Sequence, residues 1–288
     1  MKNAKWIAAI LVIAALISST SCKKSTDKSI DITNTESKNV ALTDTLKQSY
    51  TFSSNCAEMF SILPPDEVST IPQGGIFVGR YYYQCFLKRD FETNEEHNIV
   101  KIVKYDTVDK KTVLVSQELS LNHANDIAYN RKLKCLIVVH NNPNRTKISF
   151  VDTKTLTVIR EENVPMNIFC MDYNEDKGLY VVGLSGGQNF AFLDENFNQV
   201  GITEYPTGRT YNCTTQGVTC DDDFIYFVLY NENLISVYDW QGEFVTVIKL
   251  DVGDIEPENI TVRDDNIYVG CANFGLTVFS VKPIFDTE

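Results

Sequence analysis

No two of the eight cysteines stand in C-x-x-C spacing, which removes the usual zinc and dithiol redox frameworks. No glycine-rich run is followed by the lysine of a phosphate cradle. Ser185-Gly-Gly187 continues into Gln188 and reads as a flexible loop between strands. No sustained i, i+3, i+4 apolar stripe occurs, so a helical solenoid is excluded. Histidine is scarce, with three residues in 288. Beyond the first 17 residues no apolar run is long enough to cross a bilayer. Basic residues are outnumbered, 26 against 38 acidic, and an acidic chain repels phosphate backbones. Nucleic acid is therefore not expected as a partner.

What is present begins with a three-part signal. Lys2 and Lys5 precede an apolar core from Trp6 to Ile17, then Ser18, Ser19, Thr20 and Ser21 lead to Cys22. That pattern is a secretory signal over residues 1–21, too short and wrongly flanked for a spanning helix. The cysteine after small residues resembles the lipobox of bacterial lipoproteins in a relaxed form, with Ser19 in place of the usual leucine. The resemblance implies cleavage before Cys22, lipidation of its thiol and a membrane anchor that does not span. Residues 22–39, rich in Ser, Thr, Asp, Lys and Asn, read as a flexible tether. Loss of the signal leaves 24 basic against 38 acidic residues, a net charge of −14. The remainder, 40–288, is expected to be one domain. Cys85, Cys135 and Cys271 lie in apolar strand patterns, where a small buried thiol is the common role. No disulfide is assigned.

That domain is organised by a repeat whose clearest copy is 122–159. A polar lead-in at Asn122–Asp126, a short strand, a turn at Asn130–Lys134 and a strand at Cys135–Val139 are followed by a polar loop. A strand ending at Asp152 and a last strand at Thr155–Ile159 complete the unit. Equivalent anchors are Ile76, Ile127, Met171, Val218 and Ile260, spaced 51, 44, 47 and 42 residues apart. A second landmark closes each third strand: Asp106, Asp152, Asp194, Asp239 and Ser280, spaced 46, 42, 45 and 41. Two landmarks with one period indicate four-stranded antiparallel units repeated around a ring, an all-β propeller. Over about 71–284 the chain resembles propellers of the YVTN/NHL kind. Five blades are expected, with six as the alternative if 40–70 forms a degenerate blade. The fifth unit stops after its third strand, so an N-terminal strand, within 40–52 or 57–63, is expected to supply its fourth and close the ring.

In propellers, loops leading into the first strands surround one channel mouth, where a rigid ring positions binding residues. Those lead-ins carry Gln73, His123, Asn125, Asp126, Phe169, Gln216 and Glu258; Arg209, Tyr211 and Asn273 are further candidates for the same face. Convergent polar groups beside one aromatic suggest a ligand pocket. The competing reading is that they satisfy turns and bind channel water. His123 beside Asp126 suits proton transfer or a loop contact. His140 lies on the same predicted face; no metal site and no cofactor is assigned. Asp221-Asp-Asp223 and Asp264-Asp-Asn266 fall between first and second strands and read as turns, not calcium loops. Trp240 is placed in a hairpin turn on the opposite face.

Gln73-Gly74, Gln216-Gly217 and Glu258-Asn259 are similar in kind to the inner-strand beginnings of plant and bacterial glutaminyl cyclases, five-bladed propellers. The acidic motifs of that family have no counterpart in the second and third units, which carry Asn125-Asp126 and Phe169-Cys170, so no catalytic residue is transferred. The expected function is a non-catalytic, lipid-anchored binding module for a protein, peptide or glycan at the mouth. The alternatives are a lyase or cyclase using Glu258 or Asp126 beside His123, and a structural subunit of an envelope complex. The arrangement resembles Bacteroidota lipoproteins of the outer membrane, facing the periplasm or the cell surface.

Overall fold

A computed structural model describes residues 51–90, 92–93, 96–184, 189–200, 205–206, 213–264 and 266–284. Cys22, the signal, the tether, Arg209 and Tyr211 lie outside the described residues. Every regular element among the described residues is a strand; there is no helix. The strand β1 (Thr51–Ile62) comes first. Three antiparallel sheets of four strands follow. The first joins β2 (Ser69–Val78), β3 (Tyr81–Arg89), β4 (Glu96–Asp106) and β5 (Lys111–Val115). The next joins β6 (Asp126–Asn130), β7 (Cys135–Val139), β8 (Lys147–Asp152) and β9 (Val158–Asn163). The third joins β10 (Ile168–Asn174), β11 (Leu179–Leu184), β12 (Asn189–Leu193) and β13 (Tyr205–Pro206). An eight-stranded sheet holds the rest. It contains β14 (Thr214–Cys220), β15 (Phe224–Tyr230), β16 (Leu234–Asp239) and β17 (Phe244–Lys249), then β1, then β20 (Leu276–Ile284), β19 (Asn266–Ala272) and β18 (Glu256–Arg263).

The junction in that sheet is β1. It runs antiparallel to β20 from Ser53 opposite Ile284 to Ile62 opposite Leu276. Its first two residues pair parallel with Val247 and Ile248 of β17. The strand thus overlaps both N-terminal windows named above. Phe60 and Ile62 hold it in place by burial, each worth roughly 1.5–3 kcal/mol.

The apolar residues sort into five clusters, each filling a seam between consecutive sets of strands. One joins β3 and β4 to β6–β8 through Leu87, Ile102, Ile127 and Val138. The next joins β7 and β8 to β10–β12, a third joins β11 and β12 to β14–β16, and a fourth joins β15–β17 to β18 and β19. The last is aromatic and brings the end of the chain back to the beginning: Phe60, Tyr82, Tyr105 and Leu276 share it. Phe60 stacks on Tyr105 with centroids 5.2 Å apart. The first strands β2, β6, β10, β14 and β18 touch in a closed cycle, β18 contacting β2.

The shared position at the end of the third strands has a defined task. Asp106 accepts hydrogen bonds from the N–H groups of Val108 and Asp109, at 3.0 Å each. Asp152 does so from Lys154 and Thr155 at 2.9 and 2.8 Å, Asp194 from Asn196 and Asn198, and Asp239 from Gln241 and Glu243. Each carboxylate builds the turn that sends the chain into its fourth strand. At the fifth copy Ser280 stands mid-strand, with no turn to build, because β20 receives β1 instead. The same device corrects one boundary. Thr155–Thr157, expected to open the last strand of 122–159, belong to the Asp152 turn, with Leu156 at φ 54°, and β9 begins at Val158.

Candidate functional site

Four of the five first strands carry a register break at one equivalent place. Pairing jumps from Ile168 to Cys170 in β10, from Thr215 to Gly217 in β14 and from Pro257 to Asn259 in β18. In β2 it jumps from Pro72 to Gly75. The residues left out of the ladder are Phe169, Gln216, Glu258 and the pair Gln73-Gly74. Asn125 holds the matching position ahead of β6, its N–H bound to Val139 O at 2.9 Å. All but Gln73, which stands three residues before Ile76, stand two residues before their anchors. A β-bulge re-aims its side chain, so Phe169, Gln216 and Glu258 leave the ladder at the end where the first strands begin.

Just inside that end the ring is tied by buried polar groups. Asp126, 1% exposed, accepts from Ile127 N at 2.9 Å and from both Met171 N and Val218 N at 3.2 Å. One carboxyl thus binds three first strands. Burial drives it well above the ordinary carboxylate range, against the pull of those N–H groups. Asn259, fully buried, donates to Gln73 O at 2.7 Å and accepts from Tyr82 Oη at 2.6 Å. Glycine is required where these strands meet: a Cβ on Gly74 would lie 2.6 Å from Asp126 Cα. On the next layer Asp172 accepts from Thr219 Oγ1 at 3.0 Å and Cys220 N at 2.9 Å, and burial pushes its carboxyl up to about 6.

Above this hub lies a cluster of polar side chains. Gln216 Nε2 donates to Glu256 Oε1 at 2.7 Å. Asn125 donates to Gln216 O at 3.3 Å and accepts from Asn141 at 3.1 Å. His123 Nε2 stands 3.4 Å from Glu96 Oε2; burial pulls the imidazole down and Glu96 opposes it. Glu258 is 7% exposed, and no described side chain or backbone group donates to it. Burial raises its carboxyl well above the usual range, and the charges of Glu256 and Glu96 raise it further.

Of the residues expected at the mouth, His123, Asn125, Gln216 and Glu258 gather there. Asp126 sits beneath them as a tie between strands, where all its bonds are to backbone N–H. Gln73 is buried and folds back onto Pro72 O at 2.9 Å. Phe169 is half-buried against the core between the third sheet and β14–β17. Asn273 is exposed in the turn between β19 and β20, on the same end as Glu256, which pairs with Ala272. Sequence reasoning missed three residues there. Glu256 belongs to the cluster, and Leu63 and Phe274, 67% and 91% exposed, form an apolar rim beside it. An exposed Phe in a tight turn was a readable signal. His140 is taken up by the fold: fully buried, it binds Asn122 at 2.8 Å and Ser149 at 2.6 Å, and burial pulls it down to about 4.

The opposite end holds a cavity of about 920 Å³ lined by the turns between first and second strands, including Arg80, Tyr129, Arg131, Glu175, Asp222 and Arg263. Its arginines already face carboxylates, Asp106, Glu175 and Asp264 respectively. Asp221 is a turn former as expected, accepting from Asp223 N and Phe224 N. Trp240 donates to Asp221 O at 3.0 Å and stacks on Phe192. The run Gly183-Leu-Ser-Gly-Gly187 has G-x-S-x-G spacing. It joins β11 to β12, which are antiparallel neighbours, whereas a nucleophile elbow leads from strand to helix; 185–188 lie outside the described residues.

No protein-family model and no curated protein matches this sequence. Solved structures do match its shape. The crystal structure of Myxococcus xanthus glutaminyl cyclase aligns with a TM-score of 0.60 at 12% identity, covering 81% of this chain and 97% of that one. The tail fiber of Staphylococcus aureus phage P68 aligns with a TM-score of 0.56 at 12% identity, over 79% of this chain and 52% of that one. At such identities the likeness is one of fold: an all-β, propeller-like arrangement of sheets.

Proposed function

We propose that the chain is a five-bladed propeller, closed by β1 as the outer strand of its last blade. It is held in the cell envelope by a lipid on Cys22 and binds a protein, peptide or glycan at the mouth where the first strands begin. The observation that carries the binding face is the repeated bulge, which redirects Phe169, Gln216 and Glu258 from three different first strands at one end of the ring. The exposed rim of Leu63 and Phe274 favours a protein or peptide over a glycan. The ring is rigid and the mouth polar, which is the usual division between scaffold and recognition surface. The anchor reading rests on the signal and Cys22, and it places the domain on the outer membrane, 22–39 acting as its stalk. A Cys22→Ala variant that still partitions with membranes sinks that part.

A second reading has one observation behind it. Glu258, buried and raised, is suited to hold a proton, so a cyclase or lyase in the manner of the glutaminyl cyclase fold neighbour is tested directly. Peptides with N-terminal glutamine are incubated with the full chain and with Glu258→Gln. Turnover by the first and not the second would replace the binding module with an enzyme.

The mouth itself is tested by Gln216→Ala, which removes a bulge side chain outside the core. Partner binding measured on the full chain is expected to weaken about tenfold or more. Unchanged binding moves the site elsewhere.

A further inference from the structure

The bowl at the far end is built as regularly as the mouth. The residue two places past each anchor lines it: Val78, Tyr129, Tyr173, Cys220 and Val262. The first strands thus give one largely apolar collar, with Tyr173 buried and the others half-buried. Toward the mouth the strands close in, Cys220 N donating to the buried Asp172 at 2.9 Å. The cavity of about 920 Å³ falls in the range of about 300–1,000 Å³ usual for small-molecule sites.

Its wall is charged but balanced. Arg80 Nε donates to Asp106 at 3.0 Å, Arg263 Nε to Asp264 at 3.1 Å, and Arg131 Nε stands 3.5 Å from Glu175. Several of these contacts cross between sheets. Arg131 and Glu175 follow first strands of neighbouring sheets, Arg263 Nη1 also donates to Gly79 O, and Asn174 donates to Asp222 at 3.2 Å. Side chains held in this way are positioned before a ligand arrives. Each guanidinium keeps further N–H groups after its pair is made. A simple anion meets a carboxylate at every pair and a simple cation meets a guanidinium, so charge of either sign is opposed. A hydroxyl is not opposed, because it accepts from the guanidinium and donates to the carboxylate. Neighbouring hydroxyls on one ring can span a pair, while the C–H face of that ring suits the collar and the ring of Tyr129.

We infer that the far bowl is a second binding site, for a neutral oligosaccharide. Its hydroxyls bridge Arg131 with Glu175 and Arg263 with Asp264, and its sugar rings rest on the collar. The site is separate from the mouth, and the two ends take different ligands.

The test is calorimetric titration of the full chain, in a detergent without sugar head groups, with maltotriose, cellotriose and mannotriose. Trigalacturonate, with a carboxylate on every ring, is the charged control. The expected result is binding of at least one neutral trisaccharide, about tenfold or more tighter than trigalacturonate. Arg131→Ala removes a side chain that is 77% exposed, so the unfolding midpoint should hold while sugar affinity falls about tenfold or more. Arg131→Lys keeps the charge without the planar fork and should fall nearly as far. The assignment is overturned if none of the neutral trisaccharides binds, or if Arg131→Ala binds them as the wild type does. Trigalacturonate binding as tightly as the neutral sugars, or full affinity in Arg131→Lys, overturns the pairing of hydroxyls with balanced charge. Sugar binding lost in Gln216→Ala and kept in Arg131→Ala overturns the bowl and puts the sugar at the mouth.

Discussion

Asp126 shows how one side chain can look catalytic and be structural. In sequence it sits beside a histidine at a strand beginning; in space its oxygens are used up by N–H groups of Ile127, Met171 and Val218. Removing it strands three buried donors, each costing about 1–3 kcal/mol unless channel water replaces the oxygen. Asp126→Ala is expected to lower the unfolding free energy by about 3 kcal/mol or more, and Asp126→Asn by less, since one oxygen remains. Urea denaturation decides this; loss of binding with stability intact would mean that Asp126 touches the ligand. Asp172 makes a pH prediction. Its folded value, about 6, lies above the ordinary 3.8. It therefore contributes stability below pH 4 that is lost as pH rises through about 6. Across that window the wild type should lose up to about 3 kcal/mol relative to Asp172→Asn. A difference between the two that does not change with pH contradicts the assignment.

At the scale of elements, much was legible because it is local. Apolar anchors mark strands that must bury one face. An aspartate at the end of a third strand recurs with the period of the repeat, and the stop of the fifth unit soon after its third strand pointed to a fourth strand from elsewhere in the chain. What was not legible depends on register between strands. A bulge exists only against a partner, so Gln216 and Glu258 read as polar lead-ins, while their release from the ladder became visible on pairing. Gln73, one position earlier in its bulge, turns inward for the same reason. The cavity at the far end is assembled from five turns distant in sequence, which no single stretch reveals. The pairing of β1 with β20 depends on the aromatic seam. Phe60→Ala should cost about 3–5 kcal/mol and expose the β20 edge, read as concentration-dependent association in sedimentation. A variant that stays monomeric and stable would show that β1 is dispensable to closure.

For the whole molecule, the ring has two ends that differ in character. One gathers bulge side chains around a buried carboxyl, with an apolar rim at Leu63 and Phe274. The other is a broad bowl whose arginines are paired with carboxylates. Partner binding assigned to the first end is indifferent to substitution at the second. Thermal unfolding of the full chain with a panel of peptides separates the two, comparing Gln216→Ala with Arg131→Ala. A ligand at one hundred times its Kd adds about 2.7 kcal/mol of stability, enough to move the midpoint visibly. The account predicts a shift retained in Arg131→Ala and lost in Gln216→Ala. A shift lost in Arg131→Ala and retained in Gln216→Ala would contradict it and move the binding face to the opposite end of the ring.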